Sequence, residues 1–243
     1  MKKTIQRVLA AVILLVMILS GGFSEVGKVH AEKQQGTTKR AIYVVFDNSG
    51  SMYGDGNKAW SQATYAMEVF AAMMNYESGD VMKVFPMHDI TTDGNTGSAT
   101  KSSMEIRGKD DIAQIHNMYT PKPGGTPYTQ VNNAAGELTK LLNAGSVDEG
   151  WLVVLTDGDF DNDIPASGLK ADLEGKAAAN ENLYVQYLAI GTDVKNIPEG
   201  NADKGLYAQK AGNTSEVVNE LAEISNRIFK RKYGISPGAY RKA

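Results

Sequence analysis

The chain has 243 residues, with 25 basic against 28 acidic side chains, a formal net charge of −3 and no cysteine. An acidic, evenly mixed surface excludes non-specific nucleic-acid binding, which requires a basic footprint. The missing cysteine excludes a disulfide framework and any thiolate chemistry.

Lys2, Lys3 and Arg7 precede an apolar run from Val8 to Leu19, which falls short of the roughly 20 residues needed to cross a bilayer. Val29 and Ala31 stand at the −3 and −1 positions of a signal-peptidase site. Residues 1–31 therefore read as a cleavable signal peptide, with an uncleaved anchor as the alternative. Removing them takes away four basic residues and one acid, so the expected mature chain from Glu32 carries about −6. That chain is long enough for one domain with a full-sized core.

Residues 32–39 (EKQQGTTK) are polar and aperiodic, a tether. Ala41 to Phe46 is a continuous apolar run, as expected of a strand covered on both faces. Trp60, Ala63, Met67, Phe70, Ala71 and Met74 recur at three- and four-residue spacing, which predicts a helix over 58–76. Val81 to Phe85 predicts a second strand. The turn residues of 88–103 predict a loose hairpin or surface loop, with Met104 to Ile106 as its returning strand. Asp110 to Met118 is a short helix candidate. Thr126-Pro127 is a good helix start, with Thr126 at the N-cap, and Val131, Ala134, Ala135, Leu138, Leu141 and Leu142 give the helical stripe that follows. Trp151 to Leu155 is a second fully apolar strand, and like the first it runs into an aspartate, here Asp157. A helix around 167–178, a strand over 183–190, a short peripheral strand over 205–210 and a final helix carrying Val217, Leu221, Ile224 and Ile228 complete the domain, and residues 232–243 form a basic tail. Strands alternating with helices imply an α/β fold, a doubly wound, mainly parallel sheet with helices on both faces. Residues 41–46 and 151–155 are expected to be neighbouring core strands. In such sheets ligands sit outside the carboxyl ends of the strands, where Asp47 and Asp157 stand.

Asp47, Ser49, Ser51, Thr126 and Asp157 offer oxygen atoms alone, a donor set that suits Mg²⁺, Mn²⁺ or Ca²⁺ rather than zinc or copper. Two carboxylates and three hydroxyls make an under-charged cage, and a small ion in it keeps waters or takes a carboxylate from outside. Against this, Ser49 and Ser51 could cap the helix beginning near Asn57, Thr126 could be an ordinary cap, and Asp47 could satisfy loop amides. Asp47-x-Ser49-x-Ser51, Gly-Gly-Thr126-Pro and Leu-Thr-Asp157-Gly, in this order, resemble the von Willebrand factor type A domain over about residues 40–231. The five residues are similar, position by position, to its metal-ion-dependent adhesion site. The resemblance implies that Ser49 and Ser51 bind the ion directly, Thr126 directly or through water, and Asp47 and Asp157 mostly through waters and hydrogen bonds. It also implies an extracellular protein-binding module, in adhesion or envelope assembly, whose partner supplies an aspartate or glutamate to the ion. Asp47→Ala is expected to cost little stability, because the site faces solvent.

The run Asp157, Asp159, Asp161, Asp163 reads as a solvated rim that Asp55 joins, deepening the negative potential; a calcium loop is the alternative, although the bidentate glutamate of an EF-hand is missing. His88 and His116 read as surface residues, and Tyr65, Tyr184 and Tyr187 as packing. Asn213-Thr-Ser is a glycosylation sequon by pattern. Lys230, Arg231, Lys232, Arg241 and Lys242 form a basic end that suits either a helix dipole or anionic envelope polymers. The enzyme alternative is a Mg²⁺-dependent phosphatase of the haloacid-dehalogenase type with Asp47 as nucleophile, but Ser49 stands where that family needs a general acid. A serine hydrolase lacks its G-x-S-x-G elbow. The chain is therefore expected to bind rather than to catalyse.

Overall fold

The structure is a computed structural model that describes residues 38–87, 90–91, 99–101, 103–112, 126–157, 160, 164–191 and 197–230, all within one compact unit. The elements are β1 (Arg40–Phe46), α1 (Gly54–Met73), β2 (Val81–Pro86), β3 (Ile90–Thr91), β4 (Ala99–Lys101), β5 (Met104–Ile106), α2 (Lys109–Ile112), α3 (Thr129–Asn143), β6 (Glu149–Thr156), α4 (Ala166–Ala177), β7 (Leu183–Ile190), β8 (Leu206–Ala211) and α5 (Thr214–Lys230). Six strands form one sheet in the order β5-β2-β1-β6-β7-β8. All pairs are parallel except β2 with β5.

The two apolar runs that end in aspartate are indeed neighbours, with Ile42 opposite Trp151 and Phe46 opposite Leu155. Both are buried along their whole length, because each face of the sheet has its own helical cover. Ile42, Val44, Phe46, Trp151, Val153 and Leu155 pack with α1 and α5. Ala41, Tyr43, Val45, Leu152 and Val154 pack with α3 and α4. A continuous apolar run is the pattern such a two-faced strand requires. The predicted stripe of α1 faces inward through Trp60, Met67 and Phe70, and that of α5 through Val217, Leu221, Ile224 and Ile228. Each large side chain so buried contributes about 1.5–3 kcal/mol. A Cβ on Gly150 would stand 3.0 Å from Leu142 Cδ1, so a glycine lets α3 lie close on the sheet.

Two boundaries differ from expectation. The return strand of the 88–103 hairpin is β4, which pairs antiparallel with β3. Met104–Ile106 instead adds to the edge of β2, burying Met104 and Ile106 while Glu105 faces water. Helix α1 begins at Gly54, ahead of Asn57. Helix α2 covers Lys109–Ile112, and the remainder of the 110–118 candidate lies outside the described residues.

The chain leaves β1 for β2 on one side and later returns to β6 on the other. The strand order reverses between β1 and β6, so the crevice at their carboxyl ends is where an open α/β sheet places a ligand. At the opposite end, buried Arg40 lies 3.5 Å from both Asp80 and Glu149, and its backbone N–H donates to Asp80 Oδ1 at 2.9 Å.

Candidate metal centre

The crevice holds all five oxygen-bearing residues. Asp47 follows β1, its N–H donating to Leu155 O at 2.8 Å. That bond keeps its side chain level with the end of β6. Its Oδ1 accepts the Ser49 N–H at 2.8 Å. Its Oδ2 accepts the Thr156 hydroxyl at 2.8 Å and the Thr126 hydroxyl at 3.3 Å. On the outer side, the Ser49 and Ser51 hydroxyls are 2.9 Å apart, and Ser51 Oγ donates to Asp157 Oδ1 at 3.0 Å. With the Ser51 proton on Asp157, the proton between the serines must come from Ser49, since a hydroxyl has one to give. Every hydroxyl proton of the cluster is therefore aimed along a chain ending on a carboxylate.

These bonds count against the cap readings. Helix α3 begins at Thr129 after Tyr128, without a side-chain cap bond. Thr126 is thus not its N-cap, because the Asp47 carboxylate holds that hydroxyl. Helix α1 likewise starts after Tyr53 without a side-chain cap bond, and the two serines bond to each other, with Ser51 donating on to Asp157. Asp47 does satisfy one loop amide, but it also organises two threonines.

Asp47 is fully buried, as are Ser49 and Thr126, whereas Ser51 is exposed and Asp157 is partly so. Burial and the nearby Asp47 charge push the Asp157 carboxyl up from 3.8 to about 6, against the pull of the Ser51 hydrogen bond. Gly191 follows β7 at φ +112°, where a Cβ would lie 3.8 Å from Asp157 Cβ. A positive φ suits glycine here, since other residues rarely adopt it.

Thr156 is the partner that the sequence reading passed over. Its signal was a hydroxyl closing an otherwise apolar strand, at the level where the β1 and β6 register brings Asp47 alongside. Among the described residues no group of three or more acidic, imidazole or thiol side chains could hold a metal ion. A cation here would therefore rest on two carboxylates and the hydroxyls. Oxygen donors with their protons turned toward carboxylates suit a hard divalent ion.

Asp159, Asp161, Asp163, His88, His116, Arg231, Lys232, Arg241 and Lys242 lie outside the described residues. Asp55 falls in the first turn of α1. Tyr187 is buried and Tyr184 stacks on Trp151 at 4.8 Å. Tyr65, expected to pack inward, is exposed instead, on the outer side of α1.

No protein-family model and no curated protein matches the sequence. Among solved structures, the pilus adhesin SpaC from Lactobacillus rhamnosus GG in its open conformation is 15% identical with a TM-score of 0.52, covering 82% of this chain and 31% of its own. A second form of SpaC is 18% identical at the same TM-score, covering 82% and 32%. Proximal thread matrix protein 1 from the mussel byssus, with a zinc-occupied MIDAS motif, is 13% identical, with a TM-score of 0.49 over 77% of this chain and 45% of that one. The chain thus spans less than half the length of these structures. At such identities a likeness carries the fold and not the function. The doubly wound sheet, its strand order and the likeness to SpaC give this chain the von Willebrand factor type A fold.

Proposed function

We propose that this domain is an exported protein-binding module that takes a partner carboxylate through a divalent cation held by Ser49, Ser51 and Thr126, backed by Asp47 and Asp157. The observation carrying this reading is the hydrogen-bonded cluster at the switch point between β1 and β6, with Ser51 and Asp157 at its open side. Mg²⁺ or Mn²⁺, or the less demanding Ca²⁺, would supply a positive charge with a coordination position left for the partner's aspartate or glutamate. Asp47 aligns Thr126 and Ser49 from below, and Thr156 holds Asp47 in place. Asp157 adds the second negative charge, so that the site keeps a cation without dedicating many carboxylates to it.

Asp47 is a poor candidate for the phosphatase nucleophile. Both of its oxygens accept hydrogen bonds and the side chain is fully buried. Binding without catalysis is the simpler use of these residues. A pilus adhesin built on the same fold agrees with adhesion or envelope assembly, and the signal-peptide pattern of residues 1–31 is the sequence feature behind export.

The test is calorimetric titration with Mg²⁺, Mn²⁺ and Ca²⁺, with and without an acidic peptide. Wild type should bind one ion weakly alone and more tightly with the peptide, and Ser51→Ala should weaken both without unfolding the exposed position. Failure of wild type to bind any of the three ions in either condition refutes the reading. For export, N-terminal sequencing of secreted protein should return Glu32; a start at Met1 favours the anchor.

A further inference from the structure

The two sides of the cluster are carried by segments far apart in sequence, Thr126 ahead of α3 and Asp157 after β6. They meet a second time, away from the oxygens. Phe160, three residues beyond Asp157, packs its ring edge-on against Tyr128, two residues beyond Thr126, at 4.6 Å and 81°. Phe160 also meets Tyr187 of β7 at 6.4 Å and 67°, and it belongs to the α3–α4 side of the core. Tyr128 is held in turn from α4. Its hydroxyl donates to Asp172 Oδ2 at 2.6 Å, Lys176 Nζ donates to the same oxygen at 2.7 Å, and the Lys176 ammonium lies 5.2 Å from the Tyr128 ring centre.

Asp157 needs such a hold. Its carboxylate stands near the buried Asp47 carboxylate, and it accepts a hydrogen bond from the exposed Ser51 hydroxyl. Like charges at a shared site push apart when no cation lies between them. A ring packed against Tyr128 and Tyr187 opposes that push without adding charge. Outer residues that fix the orientation of a ligating group commonly tune metal affinity by about 10–100-fold.

We infer that Phe160 is a positioning residue of the cation site, keyed into Tyr128 so that the Asp157 arm and the Thr126 arm keep one geometry. This rests on the cation reading proposed above. The test compares Mn²⁺ affinity of the full chain by calorimetry, well below the melting transition, in wild type, Phe160→Ala, Phe160→Leu and Phe160→Tyr. Alanine should weaken Mn²⁺ by about tenfold or more, the lower end of such outer-residue effects. Leucine, which fills the space but has no ring edge, should also weaken it and carries the test if the alanine variant does not fold. Tyrosine, which keeps the ring, should restore affinity to near wild type. Melts in EDTA and in Mn²⁺ give the second readout. A Phe160 that only fills the core would lower both melting temperatures equally and leave Mn²⁺ affinity within twofold, and that result overturns this inference alone. Absence of Mn²⁺ binding in wild type overturns it together with the site.

Discussion

Asp157 bears the electrostatic strain of the oxygen cluster. Its pKa lies at about 6 in the folded chain against 3.8 ordinarily, so the folded state holds the proton more tightly than the unfolded one. For a raised carboxyl, the stability difference is absent below about 4, grows as pH rises, and is a full deficit above about 6. In EDTA, wild type should therefore gain on Asp157→Asn as pH falls through that window, read from urea midpoints. On the proposed function the same proton competes with the cation, so Mn²⁺ affinity should drop as pH falls through about 6, measured by titration. Asp47 behaves differently from what its place in the sequence suggests. A loop aspartate near solvent should be expendable, but Asp47 is buried and accepts three hydrogen bonds. Asp47→Ala should lower the stability of the cation-free protein by about 2 kcal/mol or more, since each donor left unpaired in a buried place is costly. Denaturant melts in EDTA check this. The oxygen types and their order were legible in the chain. Which of them turned inward was not, because Thr156 joins the cluster through strand register alone.

At the level of elements, the start of α5 shows how a short motif changes meaning once placed. Asn213 Oδ1 accepts the Glu216 N–H at 3.0 Å, and Glu216 Oε2 accepts the Gly212 N–H at 2.6 Å. Asn213 thus caps the helix and Glu216 ties back the N–H just ahead of it, so the sequon pattern has a structural use. Asn213→Ala should cost about 1 kcal/mol and Asn213→Asp little, by thermal melts. Gly136 and Gly175 sit inside α3 and α4, where a Cβ would meet nothing within 4 Å. Replacing either by alanine should stabilise the domain by about 0.8–1 kcal/mol, read from the same melts. Helices and central strands were legible because their apolar spacing follows the core they face. The edge was not: Met104 and Ile106 alternate with Glu105 as any half-buried strand does, and nothing local says whether the partner is a hairpin arm or β2.

Across the domain, the buried charged side chains among the described residues, Arg40, Asp47, Asp80 and Glu149, stand at the two ends of the central strands. Arg40 is buried with Asp80 and Glu149 at the amino end, and Asp47 follows the carboxyl end. Next to Arg40, Lys39 N–H donates to Asp148 Oδ2 at 2.8 Å and Lys39 O accepts from Asp148 and Glu149. Removing one partner of a buried ionic group costs about 3–5 kcal/mol, so Arg40→Met should be among the most damaging single changes, seen in the urea midpoint, and should leave the cluster at Asp47 intact. The doubly wound class was legible from two-faced strands alternating with helices. This lock was not, since a basic residue at the end of a polar stretch looks like part of a tether until Asp80 arrives from forty residues away.

That arrangement has a mechanical consequence. On the proposed function, a partner held at Ser51 and Asp157 would pull on the carboxyl ends of β1 and β6, while the chain enters β1 at Lys39. Tension between the two runs along β1, which is flanked by parallel strands on both sides. The inter-strand hydrogen bonds then resist together in shear instead of opening one after another, and the lock at Arg40 sits where the pull would otherwise begin to peel the strand away.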